Sequence, residues 1–324
     1  MIYDGRVYAD NTILKSTASC SMQMVLRHVL HWNNVETAAP LRAGNAAHLS
    51  LAEWPWSGRQ VANSVYGREY AQFSQENVAS DDRLSYENTS TVLDEWMTTR
   101  QGKLPWVVPD PRLIEVGFAY PLDESGSRVF FGRMDAIARD ARTGDWVVVD
   151  HKTTGRIDIS WVESWGLDSQ LTGYYWAALQ HVPNLRGFYV NGIEFSKLPQ
   201  SDRKCPTHGL PYHECSRAHL KAEIVGPVTR TPAQLEKWRG DAIRLADKYR
   251  YYAEAYDPEV VGTMPNLSAV EMEGPFTNAC RFCQFRDWCR TGQSEAMLPG
   301  LYVQDEWRPY DPREFETSPA EIIT

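Results

Sequence analysis

The 324-residue chain is poor in cysteine, with six in all, too few to staple a protein of this length by disulfides. Clustered cysteines in a reducing compartment more often hold metal, and three of these six crowd together near the C-terminal end. The chain also lacks any apolar run approaching the ~20 residues that cross a bilayer. Its first residues, MIYDGRVYAD, have neither the basic start nor the apolar stretch of a secretory signal. A cytoplasmic protein without membrane contact is expected. No G-x-x-x-x-G-K-S/T phosphate loop occurs, which removes the usual sign of an ATP-driven motor. Positive charge is scarce: 33 Lys and Arg stand against 42 Asp and Glu, for a formal charge of −9. That argues against a general coat of basic charge for polyanions, but not against a local basic groove. With 43% hydrophobic and 23% charged residues, the chain is no disordered polymer. At this length roughly 75% of the unfolded surface can be buried.

Apolar spacing in TASCSMQMVLRHVLHW predicts a helix over 17–32, with Met22, Val25, Leu26, Val29 and Leu30 on one side. A second helix is expected from Leu41 to about Trp54, ended by Pro55. Helical patterns continue in RQVANSVYGREYAQF and ENTSTVLDEWMTTR, so residues 17–105 read as mostly α. The region 110–195 changes character. RLIEVGFAYPL, SRVFFGRMDAIARD and GDWVVVDHKT are β-rich runs separated by the turn formers ESGS and ARTGD. A helix over 167–180 and a strand LRGFYVNGIEF follow, giving an α/β core with a mixed sheet flanked by helices. Residues 196–218 are polar, rich in Cys and His, and look inserted. A strand (LKAEIVG) and a long helix (TPAQLEKWRGDAIRLADKYRYYAEA) precede the terminal cysteine cluster. One domain over 1–298 is expected, with the proline-bearing acidic stretch 299–324 as a tail.

The chemistry concentrates in the β-rich middle. Asp135 lies in FFGRMDAIARD and Asp150 in WVVVDHKTT, 15 positions later. Antiparallel strands joined by ARTGD would bring the two carboxylates to one place. Lys152 follows Asp150 by two, so strand alternation points both side chains to one face. His151 points the other way, though its backbone carbonyl can still face a metal. Hard ions such as Mg²⁺ or Mn²⁺ take oxygen ligands of this kind. A carboxylate beside an ammonium can hold such an ion and position an attacking water. Gln170 and Tyr174, four apart in QLTGYYWA, share a helix face, as do Gly44 and His48 in GNAAHLSLAEW.

The order G-x-x-x-H, G-R-M-D, V-D-H-K-T-T, Q-x-x-x-Y resembles the PD-(D/E)XK nuclease superfamily, specifically its RecB-like branch. The resemblance spans roughly residues 41–180 and implies a restriction-endonuclease-like core cutting phosphodiesters. It makes His48, Asp135 and Asp150 metal ligands, Lys152 the catalytic lysine, and Gln170 with Tyr174 an accessory motif at the site and on DNA.

Cys280-x-x-Cys283, then five residues, then Cys289, sets three thiolates in a compact loop, and Cys20 could supply a fourth. Four thiolates suit zinc or an iron–sulfur cluster, and ligand chemistry alone leaves both open. One distant N-terminal cysteine plus C-x2-C-x5-C around a RecB-like core resembles the AddB nucleases and the CRISPR-associated iron–sulfur exonucleases. That resemblance implies a 4Fe–4S cluster over residues 276–292 and Cys20. A cross-link closing so long a loop could be worth roughly 5 kcal/mol. In KCPTHGLPYHECSRAH, Cys205, His208, His213, Cys215 and His219 could hold zinc, although the spacing fits no standard finger and a polar surface insertion is the alternative.

The family resemblance implies a DNA exonuclease preferring single-stranded or free ends, working alone or with separate recombination or CRISPR-adaptation proteins. Arg133, Lys152 and Arg156 offer local cations for phosphate, and Trp54, Trp56, Trp161 and Trp165 offer stacking platforms for bases. A non-catalytic DNA-binding or assembly subunit with the same fold is the second reading, and a cluster-bearing redox sensor the third.

Overall fold

The structure, a computed structural model, describes residues 1–35, 39–72, 82–195, 204, 209–211, 221–262 and 266–305. Cys205, His208, His213, Cys215 and His219 lie outside the described residues, as do residues 306–324 of the expected tail 299–324. In chain order the main elements are β1 (Ile2–Tyr3), β2 (Arg6–Ala9), α1 (Asn11–Ser19), α2 (Ser21–Met24), β3 (Trp32–Asn34), α3 (Ala39–Ala71), α4 (Tyr86–Arg100), β4 (Trp106–Val107) and β5 (Ile114–Pro121). There follow β6 (Arg128–Asp140), β7 (Trp146–Thr154), α5 (Ile159–Ser164), α6 (Ser169–Ala178), β8 (Leu185–Glu194), β9 (Ala222–Val228), α7 (Pro232–Tyr256) and, after several short helical turns, β10 (Tyr302–Gln304). The sheet is mixed and flanked by helices, as expected from the sequence. The described residues divide into two compact units, one drawn from residues 1–35, 117–132 and 231–305, the other from residues 39–116 and 133–230.

In the second unit the end of β6 pairs antiparallel with β7, β7 pairs parallel with β8, and β8 antiparallel with β9. The β6–β7 turn is set by Asp140, whose carboxylate accepts the backbone N–H of Arg142 (3.0 Å) and Thr143 (2.9 Å) and the Tyr189 hydroxyl (2.8 Å). Gly144 takes the positive φ (76°) that this turn needs. The run Val147–Val148–Val149 is fully buried, as expected of a strand covered on both faces by helices. On one face α3 and α4 pack through Ala43, Ala47, Leu51, Ala62, Tyr66, Leu93, Trp96 and Met97 against Ile193 and Phe195. The small residues of α3 permit close approach: a Cβ on Gly44 would lie 3.0 Å from Thr153 Oγ1.

Pro55 does not end this helix. The chain stays helical to Ser57 and breaks at Gly58, whose φ of 78° and ψ of 169° no helix accepts. A proline near a helix's last turn costs one hydrogen bond, whereas a left-handed glycine stops propagation outright.

In the first unit, β1 and β2 form a hairpin through Asp4 and Gly5, both at positive φ (48° and 75°), a D-G turn matched to strand twist. β2 then runs parallel to the start of β6, Val7 opposite Arg128. Met1, Tyr8, Ala119, Val129 and Phe131 close a core beneath it. α7 opens on a capping box: the Gln234 N–H donates to Thr231 Oγ1, and the Thr231 N–H donates to Gln234 Oε1. Trp238 of this helix meets Phe130 edge-on at 4.9 Å.

The helix expected over 17–32 is interrupted. Cys20 is extended (φ −167°, ψ 120°), and the chain then continues as α2 and a wider turn over Val25–Val29. Tertiary hydrogen bonds decide the break. The Ser21 N–H donates to Glu273 Oε2 at 2.7 Å, the Ser21 hydroxyl donates to Glu273 Oε1 at 2.8 Å, and Lys248 Nζ donates to Glu273 Oε1 at 2.6 Å.

Candidate functional site

The β6–β7 ladder pairs Arg139 with Trp146 and ends at Ala136 opposite Val149. The next positions in that register are Asp135 and Asp150, so the two carboxylates stand where the strands part. The bridge between them is short: the His151 N–H donates to Asp135 Oδ2 at 2.6 Å. His48, carried on α3, brings Nδ1 to 3.3 Å of the same oxygen. Lys152 Nζ lies 2.7 Å from Asp150 Oδ2 and donates to Gln170 Oε1 at 3.2 Å. Gln170 Nε2 in turn donates to Tyr174 Oη at 3.0 Å along α6. The six side chains that the motif order singled out thus form two runs of contacts, His48–Asp135 and Asp150–Lys152–Gln170–Tyr174, joined through the His151 backbone N–H. His151 also engages its ring, whose Nδ1 sits 2.8 Å from Asn191 Nδ2.

Electrostatics at this fork are severe. Burial opposes ionisation of Asp135, but His48, with His151 and Lys152, overrides it and holds the carboxyl well below the usual range. Burial pushes the Asp150 carboxyl up to about 6, with Asp135 adding to the rise and Lys152 opposing it. Burial alone would lower His48 and Lys152; neighbouring carboxylates outweigh it, and both are raised. Burial takes His151 down to about 4, leaving a neutral ring at physiological pH.

Two neighbours carried no sequence signal strong enough to mark them. Glu115 is a third carboxylate at the fork, pairing with Arg133 Nε at 2.8 Å, and its pKa is raised by burial and by Asp135. It sits at φ +54°, a left-handed conformation uncommon for glutamate. It was legible only as the one acid in the strand IEVGFAYP. Asn191 is a fully buried amide in a mostly apolar strand, and its partner is set by the β7–β8 register, which places it beside His151.

Among the described residues, no set of three or more His, Cys, Asp or Glu side chains converges as a ready-made ion site. The donor chemistry nonetheless suits a hard divalent cation. Asp150 Oδ2 is buried without a hydrogen-bond partner, its close contact with Lys152 being an ion pair of poor hydrogen-bond geometry. An oxygen left in that state gains most from a cation.

In the first unit, Cys20, Cys280, Cys283 and Cys289 line one small cavity together with Met22, Met272, Gly274 and Phe285. All four are free thiols. Gly274 is the cradle: a Cβ there would fall 2.9 Å from Cys280 Sγ and 3.4 Å from Cys20 Sγ. Burial, then the other cysteines, raises the Cys283 pKa and pushes Cys289 up to about 12. Such thiols ionise readily only against a cationic centre.

These features define an α/β protein with a mixed, helix-flanked sheet and an acid–lysine centre where two strands part. The chain belongs to the PD-(D/E)XK nuclease superfamily, whose family model matches residues 12–290. No curated protein matches the sequence. Thirteen chains of solved structures match the structure. One, titled "Crystal structure of SSO0001", is 14% identical over 86% of this chain and 95% of that chain, at a TM-score of 0.29. Among the described residues no helix is long and apolar enough to cross a membrane.

Proposed function

We propose that residues 1–298 act as a single metal-dependent DNA exonuclease of the RecB-like branch, working in the cytoplasm on single-stranded or free ends. The observation that carries this reading is the meeting of Asp135, Asp150 and Lys152 at the end of the β6–β7 ladder, with His48 on Asp135 and Gln170 on Lys152. His48, Asp135, Asp150 and the His151 carbonyl would hold Mg²⁺ or Mn²⁺. Such an ion, when bound, neutralises phosphate charge and lowers the pKa of water. Lys152 is braced between Asp150 and Gln170, so its ammonium positions the attacking water and a phosphate oxygen without swinging away. Tyr174 steadies Gln170 from the same helix.

Cys20, Cys280, Cys283 and Cys289 would hold a 4Fe–4S cluster, with Gly274 leaving room beside two of the sulfurs. Its role is structural, tying the N-terminal turn at Cys20 to a segment 260 positions later. The chain works alone or with separate recombination or CRISPR-adaptation proteins.

The test is direct. Protein purified without oxygen is incubated with end-labelled single-stranded DNA, with and without Mg²⁺ or Mn²⁺. Metal-dependent digestion that Asp150→Ala and Lys152→Ala abolish is expected. Binding without digestion would instead point to a non-catalytic DNA-binding subunit, and indifference to DNA would overturn the reading.

A further inference from the structure

The β7–β8 register pairs Lys152 with Gly192. Neighbours in a parallel pair point their side chains to the same face, so a residue with a side chain at 192 would stand directly beside the lysine. Glycine leaves that place open, and the Trp161 indole of α5 fills it. A Cβ on Gly192 would collide with the six-membered ring, whose Cζ2 would be only 2.7 Å away. Trp161 is firmly held. Its backbone N–H donates to the capping Asp158 carboxylate at 2.9 Å, its backbone carbonyl accepts the Ser164 hydroxyl at 2.7 Å, and its ring meets Trp165 edge-on at 5.1 Å. Trp165 is buried, and its carbonyl accepts from Arg230 Nη2 at 2.9 Å. Trp161 itself remains half-buried. On either side of it in sequence are Ile159, 77% exposed, and Leu167, 86% exposed.

We propose that Trp161 is a positioning residue that stacks on the base next to the scissile phosphate. The proposal rests on the nuclease reading of the same site and names the part of the substrate that the α5 segment takes. A nucleic-acid strand carries its charge on phosphates and its apolar surface on bases. A phosphate at Lys152 therefore brings a base, the apolar part of the strand, within reach of the indole. Stacking on an aromatic tolerates any base, so this contact orders the strand without reading its sequence.

The experiment uses the full chain with Mn²⁺ and short single-stranded oligonucleotides in two forms, one intact and one with abasic residues at the three terminal positions of either end. Wild type, Trp161→Ala and Trp161→Phe are compared. Trp161→Ala should lower kcat/KM on intact DNA by roughly ten- to hundredfold, mainly through KM, and Trp161→Phe should recover most of the loss. On abasic DNA wild type and Trp161→Ala should be alike, a result that a merely structural tryptophan would not produce. Equal loss on both substrates, or no loss on intact DNA, overturns the proposal. Should wild type cut neither, the nuclease reading fails by itself. Fluorescence polarisation with the same oligonucleotides then decides the stacking: weaker binding of intact DNA alone by Trp161→Ala supports it, and equal or absent binding refutes it.

Discussion

Gly192→Ala should destabilise the protein even though alanine suits a strand better than glycine. On backbone entropy alone the substitution should gain about 0.5–1 kcal/mol. The collision with the Trp161 indole works against it, and forcing a methyl group into filled space costs about 1–3 kcal/mol. The ring has little freedom to retreat, since the Asp158 cap and Trp165 hold α5 from two sides. Overpacking should therefore win, for a net loss of about 1 kcal/mol. With Trp161→Ala already in place the obstacle is gone, and the same glycine change should become neutral or stabilising. The sign reversal makes a coupling of about 2 kcal/mol, within the range for residues in contact. Denaturant midpoints of the four proteins, compared at a common slope, measure it. If Gly192→Ala stabilises both backgrounds equally, the indole does not occupy that place.

Three further outcomes test other parts of the molecule. Burial works against ionisation of Glu273, but Lys248 and Ser21 hold its carboxyl down to about 2. A depressed folded-state pKa means stability that is whole above about pH 4.5 and is lost as the pH falls toward 2. The melting-temperature gap between wild type and Glu273→Gln should therefore shrink on acidification through that window, and a widening gap would contradict the network. Cys283→Ala should lose iron and melt at a lower temperature, read by metal analysis and calorimetry; an unchanged melting temperature in iron-free protein counts against the staple. Asp140→Asn should cost about 1–3 kcal/mol in chemical denaturation, because the carboxylate accepts two backbone N–H groups and a tyrosine hydroxyl in a buried turn. Unaltered stability would show that the turn holds without it.

Much of the acid–lysine centre was legible in the one-dimensional chain because its geometry is local. Alternation along WVVVDHKTT puts Asp150 and Lys152 on one face, and the four-residue spacing of Gln170 and Tyr174 does the same on a helix. Even the meeting of Asp135 with Asp150 followed from the short ARTGD turn, which leaves few registers for the two strands. Asn191 and Trp161 were different. Their places at the centre depend on which residue of β8 falls beside which residue of β7, and the two strands are joined by a crossover whose length leaves that register open. The interruption at Cys20 was hidden for the same reason: the apolar spacing from 17 to 32 is helical, and the carboxylate that outbids it lies more than 250 positions away.

The amino-acid order alone thus determined most of the elements of the acid–lysine centre, the facing of each motif residue, and the pairing of the two acidic strands, all of which depend on contacts between near neighbours. Folding in three dimensions decided the rest. It brought His48 to Asp135, left room beside Lys152 for an indole, and gathered four thiols around Gly274. Such contacts join segments far apart in the chain, and packing together with hydrogen-bond satisfaction selects them over any local preference.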